Sequence, residues 1–269
     1  MATPDPTAAP LRLRREPPKF RSVEVRRAER LGPRMVRVCL GGPGLAGLRV
    51  DDPAASVRLL VPSPPATELV IPRWNGNEFL LPDGRRPALR TFTPRRVDTE
   101  ALALDLDIVI HGSGVASEWA EGAVAGDPAA VSGPGRGYAI DRDAPAFLLG
   151  GDESAIPAIS QLLECLPVDR PVQVHIEITR ADARLPLPGH PTAVVNWHQL
   201  RDGAPPGDAL VAAVRSVELI PDARVWVAGE AAAVQRIRKH LLEDLRLSRS
   251  QTTVRGYWKH GRTGGAADE

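Results

Sequence analysis

The hydrophobic pattern of the chain changes near residue 145, and this change limits the possible folds more than any other feature. Before it, short runs with period-two alternation are separated by many prolines and glycines. The clearest is Leu102 to Ile110, in which every second residue is Leu or Ile. A strand with one buried face has this pattern, whereas a helix would distribute these side chains around its axis. Further strands are predicted at residues 36–40, 57–61, 68–71, 90–93 and 129–131, and one helix at 115–123.

After the change, apolar strand-like runs alternate with helical stretches. The predicted strands are residues 147–149, 172–179, 192–197, 224–228 and 253–258, and the predicted helices are residues 154–166, 208–217 and 231–245. This alternation indicates parallel βαβ units with helices on both faces of the sheet. We therefore predict an N-terminal antiparallel β-barrel followed by a doubly wound parallel α/β domain.

A length of 269 residues agrees with two packed units. The predicted division is a barrel domain at residues 19–142 and an α/β domain at residues 143–260. The flanking segments, residues 1–18 with five prolines and the Gly/Ala-rich residues 261–269, are predicted to be mobile tails.

Composition excludes several classes of function. The chain has 34 Lys+Arg against 33 Asp+Glu, so the strong basic excess typical of nucleic-acid binding is absent. We find no apolar run near the roughly 20 residues that span a membrane, and no secretory signal. Cys39 and Cys165 form no C-x-x-C motif, and the six histidines show no metal-binding spacing. These features predict a cytoplasmic protein with no metal site and no nucleic-acid or membrane partner.

The segment RTFTPR at residues 90–95 has the residue types that a flavin needs. A flavin bound on a barrel requires an apolar surface for its ring, a hydrogen-bonding group and a cation for its phosphates. On an ideal strand Arg90 and Phe92 share a face and Thr93 points away, so a bend is needed to bring all three together. The alternative is a barrel strand with a packed Phe and a surface Arg.

Two further turns follow predicted strands. At residues 111–117 a Gly-x-Gly turn opens a helix, and its N–H groups together with the Ser117 hydroxyl are suited to a diphosphate. At residues 150–154 the first α/β strand meets its helix, which is the usual ligand crevice of such sheets. There Asp152 and Glu153 would repel a pyrophosphate, so the uncharged nicotinamide ring is the predicted neighbour of Asp152, Glu153 and Ser154. Helix capping is the alternative at both turns.

Taken in order, RTFTPR, DIVIHGSGVASEWA, GP at 133–134, GGDESAIPAI, VWVAGE and YWKHG resemble the siderophore-interacting protein family. These are FAD-dependent ferric-siderophore reductases of the ferredoxin-reductase superfamily, and the resemblance covers residues 19 to 261. It implies a barrel followed by an α/β domain, with bound FAD. It also implies that Arg90, Phe92 and Thr93 match the family's R-x-Y-T flavin motif, with Phe92 lacking the usual phenolic hydroxyl.

The resemblance assigns further residues. The flavin phosphate turn HG-x-G-P-A-S is matched by His111, Gly114, Ala116 and Ser117, with Val115 where Pro is usual. Substrate contacts are implied for Arg58, Arg136 and Lys259, and each has the alternative of being an ordinary surface cation. Because many ferric siderophores are anionic, a small basic patch would raise their local concentration.

The function implied is reduction of a ferric siderophore through FAD, with release of Fe(II). The electron donor is NAD(P)H or a ferredoxin, and Arg180 or Arg184 is placed to meet a 2′-phosphate. Two alternatives stay open. One is another NAD(P)H-dependent flavin reductase of the same superfamily, and the other is a siderophore-binding protein without redox activity.

Overall fold

The computed structural model describes residues 17–62, 67–112 and 114–261. Its first sheet is antiparallel, and the strand order is β6-β3-β9-β1-β2-β8-β7. The elements of this half are β1 (Arg21–Gly32), β2 (Met35–Gly41), β3 (Val57–Leu60), β4 (Arg73–Trp74), β5 (Phe79–Leu80), β6 (Leu89–Phe92), β7 (Pro94–Asp98), β8 (Ala103–Val109), α1 (Val115–Gly122) and β9 (Pro128–Ser132). A short 3-10 helix covers Pro43–Leu45.

The first and last strands of this sheet, β6 and β7, are consecutive in the chain, with only Thr93 between them. The sheet is therefore curled, and β6 also contacts β8. Its inner face holds one apolar cluster that includes Leu104, Leu106 and Ile108, as the alternation in the sequence predicts. The outward-pointing Asp107 accepts two hydrogen bonds from Arg37. The predicted antiparallel barrel is confirmed in this curled form.

The second sheet is parallel, in the order β12-β11-β10-β13-β14. Its elements are β10 (Phe147–Gly151), α2 (Ile156–Cys165), β11 (Val172–Ile178), β12 (Ala193–Gln199), α3 (Asp208–Arg215), β13 (Arg224–Glu230), α4 (Ala231–Lys239) and β14 (Thr252–Trp258). Short 3-10 helices cover Glu153–Ala155 and Ala181–Ala183, and a π-helical turn covers His240–Asp244.

Both faces of the parallel sheet are covered. Leu149 of β10 packs into a cluster with residues of α2, whereas the adjacent Leu148 packs into another with residues of α3 and α4. Because successive residues of a strand point to opposite faces, these two leucines place the helices on opposite sides. The prediction of a doubly wound sheet is confirmed.

The two sheets are joined by specific polar contacts. Arg95 of β7 binds Glu164 of α2 through two hydrogen bonds, of 3.1 and 2.6 Å. The amide of Gln161, also in α2, donates to the Pro94 carbonyl at 2.6 Å and accepts from the Ala54 N–H at 2.8 Å. The predicted boundary at residues 142/143 lies in the segment between β9 and β10.

Some predictions were wrong or lie outside the described residues. Residues 68–71 form no strand: Val70 and Ile71 stay exposed, and the short β4–β5 hairpin follows instead. The predicted mobile tails lie outside the described residues, apart from positions 17, 18 and 261. Within the described part of the chain, no helix combines the length and apolar character required to cross a bilayer.

Candidate functional site

The bend between β6 and β7 carries the first predicted site segment. Thr93 occupies the bend and is buried, and Phe92 before it is half-buried against the barrel core. The half-buried Arg90 donates a hydrogen bond to the Leu89 carbonyl at 2.8 Å and pairs with no carboxylate of the described residues. Burial lowers the pKa of its guanidinium. A partly desolvated cation without an anionic partner is costly, and a bound anion would offset that cost.

The turn between β8 and α1 opens into empty space. Gly112 and Gly114 have φ angles of 75° and 90°, which favour glycine. Among the described residues and apart from chain neighbours, a Cβ at Gly112 would meet no atom within 4 Å, and one at Gly114 would meet only His111 Cε1 at 3.7 Å. The His111 N–H donates to the buried Ser117 Oγ at 3.1 Å, so the Ser117 hydroxyl keeps its own proton to donate. Ala116 beside it is buried.

The junction after β10 is arranged differently, because its carboxylates are already bonded within the protein. Asp152 Oδ1 accepts from the N–H and hydroxyl of Ser154 at 2.9 and 2.5 Å. Its Oδ2 accepts from the Glu230 N–H and the Trp258 indole, each at 2.8 Å. Burial raises the pKa of Asp152, and these hydrogen bonds oppose the rise. The structure thus has the capping arrangement that the sequence left as an alternative.

Both carboxylate oxygens of Glu153 are also bonded within the protein. Its Oε1 accepts from the Thr179 N–H at 2.9 Å and from the Thr179 hydroxyl at 2.8 Å. Its Oε2 forms an ion pair with Arg34 Nε at 2.9 Å. All oxygens of Asp152 and Glu153 therefore accept hydrogen bonds from the chain. A nicotinamide ring beside Asp152, Glu153 and Ser154 stays a prediction.

Two chains of contacts bring these segments together. Thr93 Oγ1 lies 3.4 Å from the Tyr257 hydroxyl in β14, and the next residue, Trp258, is bonded to Asp152. Burial raises the pKa of Tyr257. The end of β14 thereby connects the β6–β7 bend to the junction after β10.

The second chain of contacts runs through Arg34, in the turn between β1 and β2. Its guanidinium binds Glu153, while its carbonyl accepts from the Ile110 N–H at 2.8 Å, directly before the turn at His111. The region bounded by Thr93, residues 111–117 and residues 152–154 is called the inter-sheet site below. It unites the three segments that the sequence singled out.

The three predicted substrate cations lie around the seam between the sheets. Arg58 is half-buried in β3, and Arg136 and Lys259 are exposed. The Gly135 N–H donates to the Ser56 carbonyl at 2.6 Å, so the segment carrying Arg136 lies against the segment that leads into β3. Lys259 directly follows β14. The substrate role of these cations stays a prediction.

A separate groove of about 510 Å³ lies on the outer face of the barrel next to α2. Its lining residues are Arg27, Arg37, Arg95, Arg96, Asp105 and Glu164. Arg37 and Arg95 are each bonded twice to a carboxylate, so this groove offers an anion little unpaired charge. It is a poorer candidate than the inter-sheet site.

The inter-sheet site fits FAD. The open space at Gly112 leaves room beside the start of α1, where N–H groups lack helical partners. Arg90 supplies a cation that pairs with no carboxylate in the described part of the chain, and Phe92 supplies an apolar ring. These features suit a diphosphate joined to a flat heterocycle.

Comparison with known proteins agrees with this geometry. Residues 24–138 match the siderophore-interacting FAD-binding domain, and residues 144–261 match the siderophore-interacting protein domain. The chain belongs to the siderophore-interacting protein family. The resemblance noted in the sequence is thereby confirmed.

Members of this family with solved structures or assigned activities are similar over nearly the whole chain. A siderophore utilization protein from T. fusca has a TM-score of 0.81 and 37% identity, covering 92% of this chain and 95% of that one. The siderophore-interacting protein SipS from Aeromonas hydrophila has a TM-score of 0.76 and 29% identity, covering 91% and 93%. The ferric vibriobactin reductase ViuB of Vibrio cholerae is 28% identical, over 85% of each chain.

Sequence reasoning did not assign several residues that build this site. The sequence patterns assign no role to Arg34, Tyr257 or Trp258. Their contacts join residues more than 100 positions apart, and no local pattern in one sequence records such pairs. The late YWKHG motif was the only available signal for the two aromatic residues.

Proposed function

We propose that this protein is a ferric-siderophore reductase that transfers electrons through FAD from NAD(P)H or a ferredoxin to the chelated Fe(III). The observation that carries this proposal is the open glycine turn together with the half-buried Arg90, which pairs with no carboxylate of the described residues. The family match and the ferric reductase among the relatives support the same reading. Fe(II) would then leave, because oxygen chelators hold Fe(II) much less tightly than Fe(III).

The residues of the barrel would hold the cofactor. Arg90 and the N–H groups at the start of α1 would bind the diphosphate, with the Ser117 hydroxyl donating a further hydrogen bond. Phe92 would pack against the ring, and Thr93 would be the polar residue beside it. Bound FAD supplies the redox chemistry, since it takes up two electrons and can release them singly.

The cations Arg58, Arg136 and Lys259 would attract the substrate. Their charge raises the local concentration of an anionic iron complex even though the net charge of the chain is only +1. No protein acid or base is needed for electron transfer, so the contribution of the chain is to bind and to orient.

The donor side favours NAD(P)H by fold, since the crevice at the carboxyl ends of parallel strands is where such cofactors bind. Arg180 is bonded twice to Asp182, at 2.6 and 2.7 Å, so its guanidinium is engaged. The exposed Arg184 is the better candidate for a 2′-phosphate. Anaerobic titration with NADH, NADPH and reduced ferredoxin distinguishes the donors.

The purified protein should be yellow and, once reduced, should be reoxidised anaerobically by iron(III) tris-catecholate, with Fe(II) trapped by a chelating dye. Arg90→Gln should weaken FAD binding about tenfold or more, as expected for losing a charge-assisted phosphate contact. Arg96→Gln on the outward side of β7 is the matched control and should bind FAD normally.

Three outcomes would contradict the proposal. Colourless protein that cannot be reconstituted with FAD would refute the flavin site. Equal turnover with ferric chelates and with uncharged artificial acceptors would favour a general flavin reductase. Ferric-siderophore binding without reduction, unchanged by removal of FAD, would favour a carrier protein.

A further inference from the structure

The loop that carries Arg136 is rich in glycine. Residues 133–138 read GPGRGY and connect β9 to the segment before the parallel sheet. Glycine loses more conformational freedom on ordering than any other residue, so such a loop needs external contacts to take one conformation. Backbone hydrogen bonds hold its flanks: Gly135 N–H to Ser56 O at 2.6 Å and Tyr138 N–H to Pro53 O at 2.8 Å.

Between these flanks, the backbone of Arg136 is held by a residue of the other sheet. The Arg255 guanidinium, in β14, donates to the Arg136 carbonyl at 3.0 Å and to the Gly137 carbonyl at 2.6 Å. It also donates to the Ala54 carbonyl at 3.1 Å, in the segment that leads into β3. A planar guanidinium is suited to this task because its N–H groups point in fixed directions, whereas an ammonium group has a single centre.

The arrangement connects the chain segments that carry the three cations of the proposed substrate site. Arg255 lies in the strand that Lys259 directly follows, and its carbonyl partners lie beside Arg136 and four residues before Arg58. All three of its hydrogen bonds go to main-chain carbonyls of the barrel half. The Arg255 guanidinium therefore holds the main chain at residues 54, 136 and 137 in place.

We propose that Arg255 is a positioning residue for substrate recognition: it fixes the glycine-rich loop so that Arg136 faces the iron complex together with Arg58 and Lys259. This inference rests on the proposed function. Arg255 touches neither FAD nor substrate in this role. Because Arg255 already holds the glycine-rich loop in one conformation, less conformational entropy is lost when the iron complex binds. A loop that became ordered only on binding would lower the affinity.

The test uses FAD-loaded protein that is reduced photochemically and mixed anaerobically with iron(III) tris-catecholate. The reoxidation rate at increasing concentrations gives a half-saturation concentration and a maximal rate. Arg255→Gln should raise the half-saturation concentration about three- to tenfold and leave the maximal rate within about twofold, because a rim residue acts on binding. FAD affinity and reoxidation by uncharged benzoquinone should stay unchanged.

A double-mutant cycle separates positioning from general stabilisation. In an Arg136→Ala background, Arg255→Gln should change the half-saturation concentration less than about twofold, since the side chain that it positions is absent. The matched control is Arg224→Gln, because Arg224 lies on the adjacent β13 and holds Asp141 of the same connection at 2.5 Å. Arg224→Gln should leave the half-saturation concentration unaltered.

The outcomes distinguish this inference from the proposed function. If the wild-type protein binds no FAD or does not reduce the iron complex, the proposed function fails. If the wild type is active but Arg255→Gln has no effect, or has its full effect without Arg136, the inference is overturned. Should Arg255→Gln fail to fold, Arg255→Lys replaces it, and a rise of less than twofold would overturn the inference.

Discussion

The inter-sheet site contains two glycine turns, each between a strand and a helical segment. They differ in the space next to their glycines. In the turn after β8, Gly112 and Gly114 have positive φ angles; a Cβ at Gly112 would face open space among the described residues, and one at Gly114 would only touch His111 at an ordinary contact distance. In the junction after β10, a Cβ at Gly151 would lie 2.4 Å from the Ala155 Cβ and 3.0 Å from the Ala228 carbonyl. The first turn leaves room for a ligand, and the second is filled by the protein itself.

The difference follows from the residues next to the glycines. Residues 111–117 of the first turn contain one histidine and two serines, and among the described residues no carboxylate accepts a hydrogen bond from the N–H groups at the start of α1, although Glu118 lies in the first turn of that helix. In the second, Asp152 accepts the hydrogen bond from the Ser154 N–H at the start of the helical segment, and Glu153 accepts from the Thr179 N–H directly after β11. A strand followed by glycines and a helix therefore indicates an anion site only when no acidic side chain occupies the turn.

The largest expected effect is on stability at the filled junction. Asp152→Ala would leave the N–H groups of Glu230 and Ser154 without their acceptor and remove the partner of the Trp258 indole. The Glu230 and Ser154 N–H groups left unpaired would each cost about 1–3 kcal/mol, whereas the indole of the exposed Trp258 can bond to water, so we expect a loss of about 2–6 kcal/mol in the free energy of unfolding. Urea denaturation of the FAD-free wild type and variant measures this change in the free energy of unfolding.

The control for this prediction is Gly112→Ala in the open turn. It should cost only about 1–2 kcal/mol, the strain of a left-handed conformation, because the new methyl group meets none of the described residues beyond its chain neighbours. If Asp152→Ala proved as stable as the wild type, the hydrogen bonds at this junction would not support the fold as described.

A second, smaller effect concerns FAD affinity at the open turn. Gly112→Asp should weaken FAD binding about tenfold, since roughly 1–2 kcal/mol of charge repulsion from the diphosphate corresponds to that factor. Gly112→Asn is the matched variant, because Asn and Asp both tolerate left-handed backbone and differ in charge. Fluorescence titration with FAD measures both. Equal weakening by the two variants would show that shape, and not charge, limits binding there.

The fold was largely predictable because its signals are local. The alternation of Leu104, Leu106 and Ile108 indicated a one-sided strand, and β8 spans that run. Strand β1 was not predicted, since only Val23 and Val25 of its twelve residues are buried and the rest of the strand is mostly charged. The predicted strand at residues 68–71 failed because apolar residues there do not reach the core.

The site was predictable only in part. The segments around Arg90, His111 and Asp152 were found, because each follows or interrupts a strand with a recognisable turn. The contacts inside these segments were not predictable: the sequence allowed Asp152 to be a helix cap or a neighbour of a ligand, and it gave no sign that the second carboxylate oxygen is bonded to Glu230 and Trp258. Those partners follow it by 78 and 106 residues, beyond the range of any local pattern.

The smallest effect is expected at the contact through which β14 meets the barrel bend. The Thr93 and Tyr257 oxygens are 3.4 Å apart, near the limit of a hydrogen bond, so Tyr257→Phe should cost about 1 kcal/mol or less. FAD affinity should change less than about threefold, because the phenol acts only through Thr93. Thr93→Val, which keeps the shape but removes the hydroxyl proposed to lie beside the flavin, should have the larger effect on affinity and on the flavin reduction potential. If Tyr257→Phe shifted that potential as much as Thr93→Val, the phenol itself would belong to the flavin environment, and β14 would join the β6–β7 bend and the open turn as a third cofactor-binding element.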